Sequence, residues 1–542
     1  MIVHLFIDNH PLPRWQVALF RRLTGTATGT ATGSNAPSDF AVAGNRMLAV
    51  SLVRKSSAAA PLDPMSTPAL RALLLLERTL AGADRDHLVD DIARSPDAAG
   101  LPLSSLDEVQ RGGAGQTPDL VVDLRASPEF GRTSSPRTLV PTYNSHTGIA
   151  SLWDMLLSGG ACETGLADST TGRIVAVARP ALETPQRLLE SADAILDTLI
   201  VQITLAVTAI AGARVLPEFI SAADHASSAS TSTGNARTTR RALQTGRRSV
   251  EFIGRRIAAK ASRSIDRLLD KSPAWQVAWR KTAKRTVPGE ALDAADFQRL
   301  RDGHDRYFAD PFVLVHAGAT HVFVEELPYA TGRGVISHFT LDARGQSSQP
   351  RPVLELSHHL SYPQVFERDG ALWMLPEGAA SGRLDLYRAE RFPDRFVHHA
   401  TIAELPLHDA TLFEHQERLW IAAGLKIGRG SCWDTLLFYS ADRLEGPWQP
   451  HAGNPLQIDR TAARSAGATF VHDGCLWRPA QDCTAGYGGA LTFNRIDRLD
   501  DESFVQTICG RLTFDPGNPH GGPHTINHAG GFELIDIYVP RG

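Results

Sequence analysis

The chain has 542 residues, 42% hydrophobic and 21% charged, with 45 Gly and 33 Pro. This excludes bulk disorder and low-complexity architecture and leaves room for two to four domains of roughly 150 residues each. A formal net charge of −4 argues against a protein that binds nucleic acid throughout. The five cysteines, Cys162, Cys432, Cys475, Cys483 and Cys509, form no CxxC pair and no Cys/His zinc spacing; a reducing compartment is expected, without a disulfide framework or structural zinc.

The N-terminus, MIVHLFIDNH, reads as a first strand and not as a signal peptide: Asp8 breaks the apolar run and no basic region precedes it. Up to about residue 215, strand-like runs (IVHLFI, RMLAVSLV, DLVVDL, RIVAVA) alternate with helix-like runs (PALRALLLLERTL, TPQRLLESADAILDTLIVQ). The pattern predicts an α/β domain over 1–215 with a mainly parallel sheet. The run 195–213 is long enough to cross a membrane but carries Asp197, Gln202 and three Thr, so a buried helix closing that domain is expected.

Residues 216–271 read as a polar, then basic, linker and helix. From Arg237 to Arg285 there are 15 Lys/Arg against three acids, with Phe252, Ile257, Ile265, Leu268 and Leu269 at loosely helical spacing. The stretch predicts a connecting helix packed against a domain. The partner its basic side would take is an anionic membrane surface, at the inner face for a cytoplasmic protein, or a polyanionic glycan.

The C-terminal half repeats one unit five times: a strand, a tight turn, then a strand with bulky apolar residues. The units start at Asp310, Tyr362, Asp409, Ala466 and Pro523, with turns near Gly318, Gly370, Arg418, Gly474 and Gly530. Two further strand-like runs follow in the first four units. Four strands per unit make a propeller blade, and five blades fit residues 272–542 as an all-β five-bladed β-propeller. The fifth unit runs out of chain after two strands, and an open blade leaves an unpaired sheet edge, so AWQVAWRK (274–281) is expected to close the ring.

First strands of blades line the central channel, so polar residues at their starts converge on one mouth. Asp310 and Asp409 open blades one and three, and Glu377 ends the second strand of blade two. These are the catalytic candidates, because glycosidic chemistry needs two carboxyl groups in different protonation states. Arg464, Asp482, His524 and His359 are the substrate-binding candidates. His358–His359 and His398–His399 are adjacent pairs that a strand sends to opposite faces, so no metal set is expected. No GxSxG, P-loop or strand-to-helix GxGxxG occurs.

These stretches carry a resemblance. ADPF (309–312), GRGVIS (332–337), HHLSYPQVFERDG (358–370), MLPEG (374–378), TLFEH (411–415), ARSAG (463–467) and RPAQDC (478–483) resemble the N-terminal propeller of the plant glucosamine inositolphosphorylceramide transferases and bacterial relatives. The ADPF start is more distantly similar to glycoside hydrolase family 43, which implies a general-base role for Asp310. The same resemblance implies a channel histidine, matched by His524, that in relatives holds a calcium through water; no cofactor is otherwise implied. That family's general acid is a blade-three Glu, and here Asp409 and an apolar TLF stand in that region, leaving Glu377 as the acid. HTGIASLWDMLLSGGACETGLADSTTGRIVA (146–176) resembles formyltransferase-like domains, with Asn144 and His146 at Asn-x-His spacing but without the Ser-Leu-Leu-Pro stretch that follows in true formyltransferases. The N-terminal domain is therefore expected to be a degenerate member.

The expected function is a carbohydrate-active protein acting on a glycosidic bond of a surface glycan or glycolipid, by transfer or hydrolysis. The alternatives are a sugar N-formyltransferase with a glycan-binding propeller and a non-catalytic glycan-binding or assembly protein.

Overall fold

The computed structural model describes residues 1–8, 12–25, 48–54, 67–81, 87–90, 101, 103–105, 117–125, 136–212, 245–258, 274–303, 305–514 and 521–539. It forms two compact units, residues 1–263 with 427–431, and residues 264–426 with 432–542.

In the first unit the strands are β1 (Ile2–Ile7), β2 (Ala49–Arg54), β3 (Leu103–Ser105), β4 (Leu120–Asp123), β5 (Arg137–Tyr143), β6 (His146–Thr147), β7 (Thr164–Asp168) and β8 (Ile174–Ala178), in the order β3-β2-β1-β4-β5-β7-β8 with β6 on β5. The first five are parallel and the last three antiparallel, so the sheet is mixed. The helices are α1 (Arg14–Thr24), α2 (Pro68–Ala81), α3 (Ile149–Ser158), α4 (Leu188–Ala211) and α5 (245–258). Apolar residues of the sheet and helices meet in one core that includes Val3, Leu5, Leu120, Val122, Leu152, Ile195 and Leu199.

Helix α4 holds the apolar run, and it is long and apolar enough to cross a membrane, yet it is buried inside this unit along most of its length. Its polar groups find partners there: Thr164 donates to Gln202 Oε1 at 2.6 Å, and Asp193 accepts from the Leu88 amide at 2.7 Å. Helix α5 is held in the same core by Phe252, while Arg255 donates to the Leu157 carbonyl and Arg256 pairs with Glu77. Part of the basic charge is thus used within the unit; the rest of 216–271 lies outside the described residues. Asn144 and Ser145 form a two-residue turn between β5 and β6, both with positive φ. The Asn144 side chain accepts from the Glu163 amide and donates to the Ala161 carbonyl, so it is tied into this turn.

The second unit is the propeller. Blade one is β11 (Arg306–His316), β12 (Ala319–Pro328), β13 (Val335–Leu341) and β14 (Arg351–Leu354), preceded in the chain by β9 (Ala274–Lys281) and β10 (Gln298–Arg299). Blade two is β15 (Ser361–Arg368), β16 (Ala371–Glu377), β17 (Leu384–Arg391) and β18 (Arg395–Ala403). Blade three is β19 (His408–His415), β20 (Arg418–Gly424), β21 (Thr435–Ala441) and β22 (Gln449–Pro450), with β23 (Gln457–Ile458) also on β21. Blade four is β24 (Phe470–His472), β25 (Cys475–Asp482), β26 (Ala490–Leu499) and β27 (Phe504–Leu512). Blade five is β28 (Ile526–Ala529), β29 (Phe532–Val539), β9 and β10.

Strand β9 pairs antiparallel with β29 from Lys281–Phe532 to Ala274–Val539. The ring is thereby closed by a strand from its own N-terminal end. Apolar clusters then fill the wedges between blades, such as Val277, Trp279, Phe308, Phe339 and Leu534 between blades five and one. Each inner hairpin is closed by two residues of positive φ, the geometry that matches the twist of the paired strands. The third of these turns is Gln416–Glu417, set by the His415–Arg418 pairing; Arg418 begins the returning strand and is not the turn itself.

Candidate functional site

The mouth is built by a repeated backbone device. Asp310, Tyr362 and Asp409 lie on the inner strands of blades one, two and three with φ of 51°, 45° and 45°. Each sits in a register shift, between Ala309 and Phe312, Ser361 and Gln364, and His408 and Thr411. A bulge re-aims side chains, and left-handed φ costs a non-glycine residue about 1–2 kcal/mol. Neighbouring blades hold these residues in place. The Asp310 amide donates to Asp536 Oδ2 at 2.8 Å, the Tyr362 amide to Asp310 Oδ2 at 3.2 Å, and the Asp409 amide to Glu377 Oε2 at 3.0 Å. Blade four has Gly467 here, donating to the Tyr362 hydroxyl at 2.7 Å; a Cβ at Gly467 would lie 2.2 Å from the Ile526 carbonyl.

Four charged groupings result. His524 lies buried with Nε2 3.2 Å from Asp310 and Nδ1 2.8 Å from Asp536. Against burial, Asp536 and Asp310 raise its pKa to about 10. These three residues form the one cluster of potential metal ligands among the described residues. They do not fit a directly bound cation: both ring nitrogens face carboxylates, and the imidazolium already supplies the positive charge.

Glu325, on β12, faces His359 Nε2 at 3.2 Å and the Tyr307 hydroxyl at 3.4 Å. His359 Nδ1 accepts from the Gly334 amide, which leaves the proton on Nε2, toward Glu325. Burial raises the Glu325 carboxyl, while its contact with Glu325 raises His359 despite burial. Glu377 faces His408 Nδ1 at 3.1 Å. Burial opposes its charge, but His408 and Arg464 prevail and hold it well below the usual carboxylate range. Arg464 grips Asp409 with Nε at 2.5 Å and Nη2 at 3.1 Å, and Gln481 donates to the same carboxylate at 2.9 Å. Burial raises Asp409 to about 8, with the guanidinium opposing the shift.

The structure therefore brings Asp310, Glu377, Asp409, Arg464, His359 and His524 to one electrostatically coupled mouth. Asp482 is elsewhere: its Oδ2 accepts from Arg511 of the outermost strand of blade four at 2.6 Å, and Oδ1 from the Thr484 amide. Its side chain braces the blade, because the strand alternates faces and Gln481 takes the mouth side. The sequence reading missed Glu325, His408, Cys432 and Asp536. It also missed the aromatic wall, in which Trp275 stacks on His524 at 3.9 Å and Tyr487 packs near Trp433 at 5.5 Å. A signal for Glu325 existed. Glu325 pairs with Ala309 and Glu377 with Ser361, each opposite the residue just before the left-handed position, so aligning the repeats superposes them. Further along the inner strands, a cavity of about 370 Å³ is lined mainly by apolar residues such as Phe312, Phe366 and Phe413.

The arrangement is that of a five-bladed propeller with a polar, aromatic-walled mouth. Residues 272–515 match the family described as glucosamine inositolphosphorylceramide transferase 1, N-terminal. Glucosamine inositolphosphorylceramide transferase 1 of Arabidopsis thaliana is 32% identical over 203 residues, 36% of this chain and 26% of that one. The protein of the same name from Oryza sativa subsp. japonica is 32% identical over 205 residues, 37% of this chain and 27% of that one. The chain thus spans about a quarter of the length of these curated relatives. Among solved structures, RS223-β-xylosidase is similar with a TM-score of 0.33 and 13% identity, over 43% of this chain and 92% of that one. The exo-β-1,3-galactanase of Phanerochaete chrysosporium has a TM-score of 0.30 and 12% identity, over 38% of this chain and 52% of that one.

Proposed function

We propose that the propeller mouth acts on a glycosidic bond of a surface glycan or glycolipid. One observation carries this reading. Glu325 and Glu377 occupy equivalent register positions on the second strands of blades one and two, both act on His359, and their environments push them in opposite directions. Carboxyl groups driven apart in this way divide into a proton-holding side and a charged side. Here the Glu325–His359 pair holds the proton for a leaving oxygen, and ionised Glu377 stabilises positive charge developing at the anomeric carbon. Trp433 and Tyr487 offer aromatic faces to a sugar ring. The name of the matched relatives favours transfer over hydrolysis.

A panel of glycans and glycolipids, with and without acceptors, followed by mass spectrometry, tests this reading. Glu325→Gln and Glu377→Gln are each expected to lower turnover by about 10²–10⁴-fold while the melting transition persists. Turnover unchanged in both variants overturns the assignment.

A second reading, non-catalytic glycan binding, is favoured by the hydrogen bonds that Asp310, Glu377 and Asp409 already accept across blades. Saturable glycan binding with no product in the same assay supports it. Formyl transfer has no comparable support, since Asn144 is committed to its turn.

A further inference from the structure

The propeller channel has a second end. Beyond the bulged mouth positions, a belt of paired polar groups crosses the inner strands. The Tyr362 hydroxyl bonds Thr411 Oγ1 at 2.9 Å and accepts from the Gly467 amide at 2.7 Å. Gln364 exchanges two hydrogen bonds with the Leu412 backbone. Asn527 donates to the Pro311 carbonyl and accepts from the Ala468 amide. Past this belt lies the cavity of about 370 Å³, toward the lower end of the roughly 300–1,000 Å³ that small-molecule sites occupy. All five blades line it: Phe312, Phe366, Phe413 and Phe470 come from blades one to four, and Asn527 from blade five. Val471, which also lines it, is 72% exposed beside the Asp473–Gly474 turn, so the cavity reaches solvent on the side of the inner hairpin turns.

One cation in the lining is unmatched. Arg285, just after closing strand β9, lies over the Phe470 ring, its guanidinium carbon 4.2 Å from the centroid. Its Nη2 donates one long hydrogen bond, 3.5 Å, to the His528 carbonyl, and its Nη1 is shielded from water without a hydrogen-bond partner. Burial lowers its pKa to about 10, with Glu533 opposing, so the group is charged at neutral pH. Glu533 itself is taken by Arg280 and by the amide and hydroxyl of Thr286. The other ionisable groups in the lining are committed: Glu414 pairs with Arg368, and His528 Nε2 meets the Thr282 carbonyl. Stacking uses the face of a guanidinium and leaves its in-plane donors for a carboxylate. A buried donor without an acceptor is a cost that such a ligand removes.

We propose that this end of the channel is a second ligand site, for a small amphiphilic carboxylate whose apolar part lies among the four phenylalanines and whose carboxylate takes Arg285. The aromatic walls suit a hydrocarbon chain or ring, and the volume limits the ligand to a small molecule. The lone unmatched cation sets the sign and the number of its charges. The paired belt lies between this site and the mouth, so binding here needs no sugar. The proposal stands apart from the glycosidic reading and is measured by binding alone.

The test titrates the full chain at pH 7.4 with octanoate and with 1-octanol, which share a chain length and differ in charge, by isothermal titration calorimetry. Octanoate is expected to bind one saturable site about tenfold more tightly than 1-octanol. Arg285→Gln is expected to bring octanoate down to the affinity of 1-octanol and to leave 1-octanol unchanged. Arg285→Lys, which keeps the charge, is expected to retain part of the octanoate preference. Ala468→Phe, which fills the cavity, is expected to abolish binding of both while the melting transition persists; if that variant does not fold, the two Arg285 variants decide. Equal affinity for the two probes in the natural chain, no saturable octanoate binding, or an octanoate preference undiminished in Arg285→Gln each overturn the proposal.

Discussion

His524 makes the electrostatics of the mouth measurable. Buried between Asp310 and Asp536, it titrates near pH 10 in the folded protein, against an ordinary value of 6.5. A folded pKa above the unfolded one contributes stability that is fully present below about pH 6.5 and is lost as pH rises through about 10. His408 shares the window, being raised to about 10 by Glu377 and Cys432. The melting temperature is therefore expected to fall from pH 7 to pH 10.5, and His524→Gln to flatten that fall in calorimetric melts. The variant should also be less stable at pH 7, since removing one partner of a buried ion cluster costs about 3–5 kcal/mol. A pH slope identical to that of the natural chain contradicts this account. At this scale the sequence was partly legible. Asp310 and Asp409 stand out because they begin repeat units, but Asp482, next to Gln481 on one strand, has its face decided by register, which composition does not display.

At the scale of elements, the inner hairpins show where local chemistry agrees with the fold and where tertiary pairing overrides it. Ala317–Gly318, Asp369–Gly370, Asp473–Gly474 and Gly530–Gly531 place glycine at the second positive-φ position, and their turns are readable from the sequence. The third hairpin has Gln416 and Glu417, at φ of 50° and 61°, forced there by the paired strands on either side. Glu417→Gly relieves the left-handed strain and is expected to stabilise the protein by about 1 kcal/mol, measured by chemical denaturation. A destabilisation of that size would mean Glu417 makes a contact worth more than its strain. The mixed sheet of the first unit follows the same logic. Parallel β1, β2 and β4 and antiparallel β8 carry the apolar runs the sequence displays, while β3, β5, β6 and β7 are set by turns and pairing.

For the whole molecule, the decisive element is strand 274–281. It completes blade five and contributes Trp275 to the mouth and Val277 and Trp279 to the cores beside it. Burying a large apolar side chain is worth about 1.5–3 kcal/mol, so losing this strand removes stabilisation on the order of a domain's whole reserve. Replacing residues 274–281 with a Gly/Ser segment of equal length is expected to abolish the cooperative thermal transition and to open blade five to limited proteolysis. A cooperative melt within a few degrees of the natural one would show that closure is dispensable.

The sequence by itself determined the repeat, the strand count and the need for a closing strand, because these rest on periodicity and on backbone groups that must be paired. It also marked Asp310, Glu377, Asp409, Arg464 and His524 as polar groups near strand ends. Only the tertiary structure decided which of them meet, that Glu325 joins them, and that His408 faces Glu377 while Arg464 reaches Asp409. Those contacts join residues far apart in the chain across different blades, through bulges and left-handed backbone that no local pattern encodes.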